Sequence, residues 1–251
     1  MTMVKAGIFL METLFLKAIA VSAVLSYLGL AVPCAAASLR ISPLSVTLRA
    51  SQKAGAISIT NPSEADMRVQ VRVFRWSQQD GKDVFTPTQA IIASPPAALL
   101  HGHETYTIRL LRIAPEVAAR EESYRLVIDE LPPSLGTEDT DRGVQMLLRA
   151  TVPVFCVTEE AKPRLEWSVW REGDLLHARA SNLGNRHARV SDLAITTSAG
   201  RISFGPGLNG YVLAGQSQTF EIGISSEVAL RTGPATLTAA SIDAPVTIET
   251  R

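Results

Sequence analysis

The stretch Gly143–Val157 reads GVQMLLRATVPVFCV and decides how the rest of the chain is interpreted. Apolar residues recur in it at every second position, which is the period of a strand with one covered face. The row on that face contains Val144, Met146, Leu148, Ala150 and Val152. The stretch is about twice as long as a usual strand. It therefore predicts one long strand.

Pro153 lies near the end of this predicted strand. Proline has no N–H to donate to a neighbouring strand, so the pattern indicates the edge of a sheet rather than its centre. A long edge strand with bulky apolar side chains promotes aggregation unless something covers it. Two interpretations follow: the row faces the protein's own core, or the strand is lent to a partner. The length and Pro153 favour the second.

Residues 1–37 have the pattern of a secretory signal peptide. Lys5 and Lys17 precede an apolar run over residues 18–32, and the small residues of Pro33–Ala37 end it. We expect cleavage after Ala37, which predicts an exported protein.

Two alternatives concern this segment. A start at Met11 would give a shorter basic region before the apolar run. A lipid anchor on Cys34 is disfavoured because Pro33 stands where a small residue other than proline is expected. No later apolar run approaches the ~20 residues that span a bilayer.

The charge balance is even, with 24 Lys and Arg against 24 Asp and Glu. A neutral balance provides no argument for binding nucleic acid or a membrane surface. Once the signal peptide is removed, Cys156 is the one cysteine left, so no intrachain disulfide is expected. Its apolar neighbours predict a buried thiol rather than a nucleophile.

After Ser38 the chain consists of short alternating runs separated by turn residues, about seven strands by residue 158, without an amphipathic helical pattern. This count and spacing predict an all-β, immunoglobulin-like sandwich. Pro43 divides the first run and predicts an opening strand that kinks or changes sheet. The polar stretch 159–163 predicts a linker. The expected domains are therefore 38–158 and a smaller sandwich over 164–251.

Chemistry-bearing motifs are few. The sequence has no nucleophile elbow, no HExxH and no glycine-rich phosphate loop. His101 and His103 flank Gly102 in a turn without nearby cysteines, which is a weak pattern for metal binding. We therefore predict no catalytic residue, no metal site and no cofactor.

Several segments resemble the periplasmic pilus-assembly chaperones of the chaperone–usher pathway, most of all their archaic branch. They follow the family's order along the first predicted domain and include Ile41-Ser42-Pro43, Val73-Phe74-Arg75-Trp76, Glu130-Leu131-Pro132-Pro133 and Leu148–Phe155. The resemblance implies two immunoglobulin-like sandwich domains set at an angle, with a cleft between them.

The resemblance also implies a function. Family members lend their last first-domain strand to a pilus subunit that lacks its own final strand, which is donor-strand complementation. By position, Val144, Met146 and Leu148 would be the inserted side chains, and Ala150 and Val152 would extend the row. The implied protein is a periplasmic chaperone, not an enzyme, that delivers fimbrial subunits to an outer-membrane usher. The free protein is expected to self-associate through its edge, and the alternative is a secreted or surface sandwich protein with an adhesive or structural role.

One feature departs from the family pattern. In well-studied members a basic pair at the cleft anchors the subunit's C-terminal carboxylate, and the two positions correspond to Ser45 and Pro153 here. Neither residue can hold a carboxylate, whereas the forked guanidinium of arginine suits that role. Arg125 is the expected anchor, because it begins the strand that should pair with the donor strand near Pro153.

Arg109 and Arg149 are the less favoured anchor candidates. The alternative for Arg125 is an ordinary ion pair, for instance with Glu121 or Glu122.

Overall fold

The computed structural model describes residues 39–113, 119–132, 146–224, 233–240 and 242–250. These residues belong to one compact unit, Ser38–Arg251. The predicted signal peptide and Val144 lie outside the described residues. Within the described ranges, no helix is long and apolar enough to cross a membrane.

The described residues form strands and no helix, which confirms the all-β prediction. In the first sandwich the strands are β1 (Arg40–Ser42), β2 (Val46–Arg49), β3 (Ala54–Thr60), β4 (Met67–Gln79), β5 (Lys82–Pro87), β6 (Ile91–Ser94), β7 (Ala97–Leu100), β8 (Thr105–Arg112), β9 (Glu122–Leu131) and β10 (Arg149–Val157). In the second they are β11 (Leu165–Glu172), β12 (Leu175–Asn182), β13 (Ala188–Ser191), β14 (Ala194–Thr197), β15 (Gly200–Ser203), β16 (Leu208–Val212), β17 (Ser217–Gly223), β18 (Gly233–Ala239) and β19 (Ile242–Thr250).

Two sheets form the first sandwich. One has the order β1-β3-β8-β6, and the other has the order β2-β10-β9-β4-β5 with β7 also paired to β4. β1 pairs with β3 and β2 pairs with β10, so the chain changes sheet at Pro43, as predicted. The core between the sheets contains side chains from both, among them Ile57, Ile108, Val71 and Leu126.

Alternation accounts for most of these strands. The side chains of Met67, Val69 and Val71 on β4 are buried, and the polar residues between them are exposed. The turn after β4 places Asp80 and Gly81 at positive φ, the geometry of a tight hairpin that matches strand twist. The apolar residues from Val84 to Ile92 divide between β5 and β6, which lie in opposite sheets.

The long strand predicted over residues 144–157 begins at Arg149 in the structure. Its pairing partner sets this limit. β9 ends at Leu131, and Arg149 lies opposite Asp129, so in this register a continuation before Leu147 would extend past the end of β9. Residues Met146–Leu148 therefore precede β10 and are not part of the strand.

The second sandwich packs a sheet of order β15-β14-β18-β19-β11-β12-β17 against the pair β13-β16. Its core contains Leu176, Val190, Val212 and Leu237. The apolar run from His187 to Thr197 forms two strands, β13 and β14, in different sheets. The predicted boundaries at 158 and 164 stay a prediction, although β10 ends at Val157 and β11 begins at Leu165.

Specific contacts join the two sandwiches. The Gln78 side chain on β4 donates to the Tyr211 carbonyl at 2.7 Å and accepts from the Leu213 amide at 2.9 Å. A small apolar cluster of Trp76, Phe155, Val157 and Leu213 is buried beside them, with Tyr211 packed against it. The end of β10 is therefore covered by the second sandwich.

Candidate functional site: the open edge of strand β10

β10 has two unlike halves along its edge. Its antiparallel pairing with β9 covers Arg149–Cys156, whereas its parallel pairing with β2 covers only Val154–Val157. Among the described residues, the part from Arg149 to Pro153 thus has a strand on one side alone. This open edge is the candidate functional site.

The backbone direction can be inferred from the start of the strand. The Glu130 amide donates to the Leu148 carbonyl at 2.9 Å, so Leu148 faces β9. Backbone groups alternate between the two sides of an antiparallel strand. Arg149 and Thr151 therefore direct their N–H and C=O groups away from β9, toward the open edge. These groups can pair with a strand that adds to the sheet.

The predicted row of apolar side chains divides into an exposed part and a covered part. Met146 is 86% exposed, and Leu148 is partly buried. Ala150 packs against the first core, and Val152, 1% exposed, belongs to it. Val152 therefore supports the protein's own core, and the row available to a partner among the described residues is Met146 and Leu148.

Two acidic residues of β9 hold the beginning of β10. Glu130 accepts a hydrogen bond from the Leu148 amide at 3.1 Å. Asp129, which is buried, binds Arg149 and also accepts from Arg72 at 2.6 Å. Burial alone would raise the pKa of Asp129, but the hydrogen bonds and charges of the two guanidinium groups outweigh it and lower the pKa. The open edge is thus held in an extended conformation before any partner arrives.

Arg125 lies directly opposite Pro153 in the β9–β10 register, as predicted. Its side chain is 14% exposed, and its Cζ lies 3.7 Å from the centre of the Trp76 ring and 5.7 Å from that of Tyr211. Arg125 therefore lies where the two sandwiches meet, next to the end of the open edge.

The charge of Arg125 is incompletely compensated. Its Nη2 is 4.0 Å from Asp83 Oδ2, and its buried Nε has no hydrogen-bond partner among the described residues. Burial lowers the pKa of Arg125, and the charge of Asp83 opposes that effect only in part. Because arginine keeps its proton in proteins, the group remains a buried cation with donors to spare. A carboxylate would bind it favourably.

The predicted ion-pair alternative for Arg125 named the wrong partners. Glu122 lies near Arg75 and Arg112, at 3.7 and 3.8 Å, and Glu121 binds His187 instead. Asp83 was missed because it is 42 residues away in sequence, beyond the hairpin turn of β4 and β5.

The other predicted anchor candidates are placed differently. Arg149 is engaged by Asp129. Arg109 is exposed on β8, in the sheet that does not contain β10. Val154 lies opposite Val46, which places Pro153 and Ser45 one step further along the same pair of strands. The two positions that the resemblance assigns to a basic pair therefore adjoin each other here, and neither carries a charge.

Cys156 is buried and free, which confirms the prediction of a structural thiol. Burial raises its pKa to about 11, so the thiol stays protonated at neutral pH. His101 lies 3.1 Å from Asp66 at the surface. Within the described ranges, no group of three or more His, Cys, Asp or Glu side chains converges as metal ligands would.

Residues 38–160 match the family described as "Pili and flagellar-assembly chaperone, PapD N-terminal domain". The first sandwich therefore matches the N-terminal domain of pilus-assembly chaperones. The match spans the whole first sandwich with the open edge and Arg125. A comparison with curated protein sequences returns no match.

Solved structures of chaperones have a similar fold. The chaperone CsuC, in the CsuC–CsuE chaperone–tip adhesion subunit pre-assembly complex of the archaic Csu pili of Acinetobacter baumannii, is 28% identical, with a TM-score of 0.61 over 86% of this chain and 100% of that chain. The SafB chaperone of Salmonella enterica is 16% identical, with a TM-score of 0.57 over 84% and 96%. The E. coli chaperone DraB is 18% identical, with a TM-score of 0.52 over 85% and 98%. The last two share the fold of two β-sandwich domains.

These comparisons do not favour the alternative of an adhesive or structural sandwich protein. Such a protein was expected to pair its long edge strand internally. In the structure, β2 covers only the last four residues of β10. The matched family is a family of chaperones.

Proposed function

We propose that this protein is a periplasmic chaperone that binds pilus subunits by lending them the open edge of β10 and delivers them to an outer-membrane usher. The single observation that carries the proposal is the half-paired state of β10, with β9 on one side and no described strand on the other before Val154. The chaperone–subunit complex of CsuC, 28% identical, supports it.

The donated contacts are both backbone and side-chain contacts. Arg149 and Thr151 supply main-chain hydrogen bonds, and Met146 and Leu148 enter the groove of the incomplete subunit, with Val144 extending the row. Burying two such side chains stabilises a complex by roughly 3–6 kcal/mol before ordering costs. Val152 and Ala150 hold the strand in its own domain instead.

Arg125 is the proposed anchor for the subunit's C-terminal carboxylate. Its incompletely compensated charge, its stacking on Trp76 and its place opposite Pro153 support this role. The carboxylate would bind beside Asp83, at the end of the open edge. The chain itself breaks no bond and needs no cofactor for this function.

The first test is co-expression with the small secreted proteins encoded beside its gene, followed by pull-down from the periplasm. We expect a small β-rich subunit to co-purify with the wild type and to be lost with Met146→Arg plus Leu148→Arg. The matched control is Leu175→Arg plus Leu208→Arg, which changes two exposed leucines of the second sandwich. Equal capture by both double variants, or misfolding of the first alone, would contradict strand donation.

A second test concerns the anchor. Arg125→Met keeps the volume but removes the cation, and we expect subunit capture to fall about tenfold or more, the size expected for a charged hydrogen bond. Arg109→Met is the control, because Arg109 is exposed in the other sheet. A subunit extended by residues at its C-terminus should bind both variants and the wild type equally weakly. Unchanged capture by Arg125→Met would reject Arg125 as the anchor.

The open edge is also available to a second copy of the chain when no subunit is bound. We propose that the free chaperone self-associates in this way, since unpaired edges add strands readily. Sedimentation analysis should then show an association that Met146→Arg plus Leu148→Arg abolishes. A wild type that stays monomeric at high concentration would exclude it.

A further inference from the structure

An aromatic stack is among the contacts that the second sandwich makes with β10. The ring of His187, which precedes β13, lies on that of Phe155 of β10, with centroids 3.6 Å apart and planes at 11°. Phe155 follows Pro153 by two residues and is buried. The stack is therefore adjacent to both the open edge and the position opposite Arg125.

His187 is itself held by the first sandwich. Its Nδ1 lies 2.9 and 2.8 Å from the two carboxylate oxygens of Glu121, and its backbone amide donates to Oε1 at 3.2 Å. The Glu121 side chain is 0% exposed. A buried carboxylate needs such partners, and since it only accepts hydrogen bonds, Nδ1 carries the proton. The orientation of the His187 ring is thus determined.

The neighbouring backbone is fixed in the same way. Asn185 accepts from the Glu121 amide at 3.0 Å through its carbonyl, and its side chain accepts from the Lys162 amide at 2.8 Å and donates to the Ala119 carbonyl at 3.3 Å. Residues from the first sandwich, the predicted linker and the second sandwich therefore meet at one point. We call Glu121, His187 and Phe155 the joint.

The joint adjoins the proposed anchor. The Tyr211 ring is 5.6 Å from that of His187 and 5.7 Å from that of Phe155, and it also lies 5.7 Å from Arg125 Cζ. A shift of the second sandwich would therefore displace Phe155 and the cover of Arg125 together. The pairing of β9 with β10 already fixes Arg125 relative to the open edge, so the joint determines only where the second sandwich lies over them.

We propose that His187, oriented by Glu121, is a positioning residue that sets the place of the second sandwich, and so of Tyr211 beside Arg125, relative to β10 by stacking on Phe155. The biological purpose of this role rests on the proposed function, whereas the contacts from which it is argued are those of the free protein. His187 touches no subunit in this scheme and acts through Phe155.

The test compares two variants that both remove the hydrogen bond between the Glu121 and His187 side chains. His187→Ala also removes the stacked ring, whereas His187→Phe with Glu121→Gln keeps a ring and leaves an uncharged acceptor for the backbone amide. His101→Ala, which changes an exposed histidine of the first sandwich, is the control. If His187→Ala does not fold, His187→Leu replaces it, because leucine fills space without an aromatic face.

The structural readout is the distance distribution between spin labels on Thr151→Cys and Leu208→Cys, both exposed sites, in a Cys156→Ala background. We expect His187→Ala to broaden the distribution and to lower subunit capture about tenfold, and His187→Phe with Glu121→Gln to keep the distribution and to capture within about twofold of the wild type. Unfolding stability should fall in both, so that stability alone does not separate them.

An unchanged distribution in His187→Ala, or an equal broadening in the two variants, would overturn the stacking role. The label measurement needs no subunit. If even the wild type captures none, the proposed function fails while the distances still decide the role of His187.

Discussion

The two ends of β10 are stabilised in opposite ways. At the beginning, Met146 is exposed and Leu148 is partly buried, and Asp129 and Glu130 bind the Arg149 side chain and the Leu148 amide from one side. At the end, Phe155 is buried beneath the second sandwich, with a paired strand on each side. A strand that is firmly attached at one end and open at the other can be lent to a partner without unfolding its own domain.

The largest loss of unfolding free energy is expected from a change at the buried end of β10. Phe155→Ala removes a fully covered aromatic side chain, and such truncations typically cost about 3–5 kcal/mol of unfolding free energy. Met146→Ala is the matched change at the exposed end, and we expect an effect within about 0.5 kcal/mol. Chemical denaturation of both variants measures the contrast. Similar losses for the two would show that the ends of β10 are not stabilised differently.

A smaller effect is expected where Asp129 holds the open end. Asp129→Asn weakens two charge-assisted hydrogen bonds, to Arg149 and Arg72, and should cost about 1–3 kcal/mol at pH 7. The pKa of Asp129 is lowered in the folded protein, so its contribution is present above the unfolded-state pKa of about 3.9 and is lost as pH falls through the folded-state value.

The difference in stability between the wild type and Asp129→Asn should therefore be full at neutral pH and shrink below about pH 4. Denaturation at a series of pH values measures it, and Glu249→Gln, a change at an exposed position of β19, serves as the control. A difference that stays constant into strong acid would mean that the Asp129 charge does not hold the strand.

The same contrast explains what could be predicted from the sequence. Alternation located the row of Met146, Leu148 and Val152, because a period of two is a local property of the backbone. Alternation could not separate the side chains offered to a partner from those buried in the protein's own core, because the residues that cover Val152 come from strands far away in sequence. The limit at Arg149 depends on where β9 ends, which is again a property of the partner strand.

The anchor shows the same division. Antiparallel pairing was enough to place Arg125 beside Pro153, since it needs only two strands and their order. Its surroundings were not predictable, because Trp76, Asp83 and Tyr211 are brought to it by a hairpin and by the second sandwich. Glu121 and His187 carry no local motif, and their pairing spans 66 residues.

The smallest perturbation is a test on the wild-type chain, in which amide hydrogen exchange is followed along β10. The Thr151 amide points to the open edge, so it should exchange rapidly in the free protein, whereas Ala150 and Val152 are protected by β9. Phe155 points the same way as Thr151 but has β2 beside it at Thr47, which makes it an internal control that is protected throughout. Binding of a subunit strand should protect Thr151 and leave Phe155 unaltered, because only the open part of the edge gains a partner. A Thr151 amide that is already protected in the dilute, monomeric protein would mean that the edge is closed, and strand donation would then require β10 to be released first.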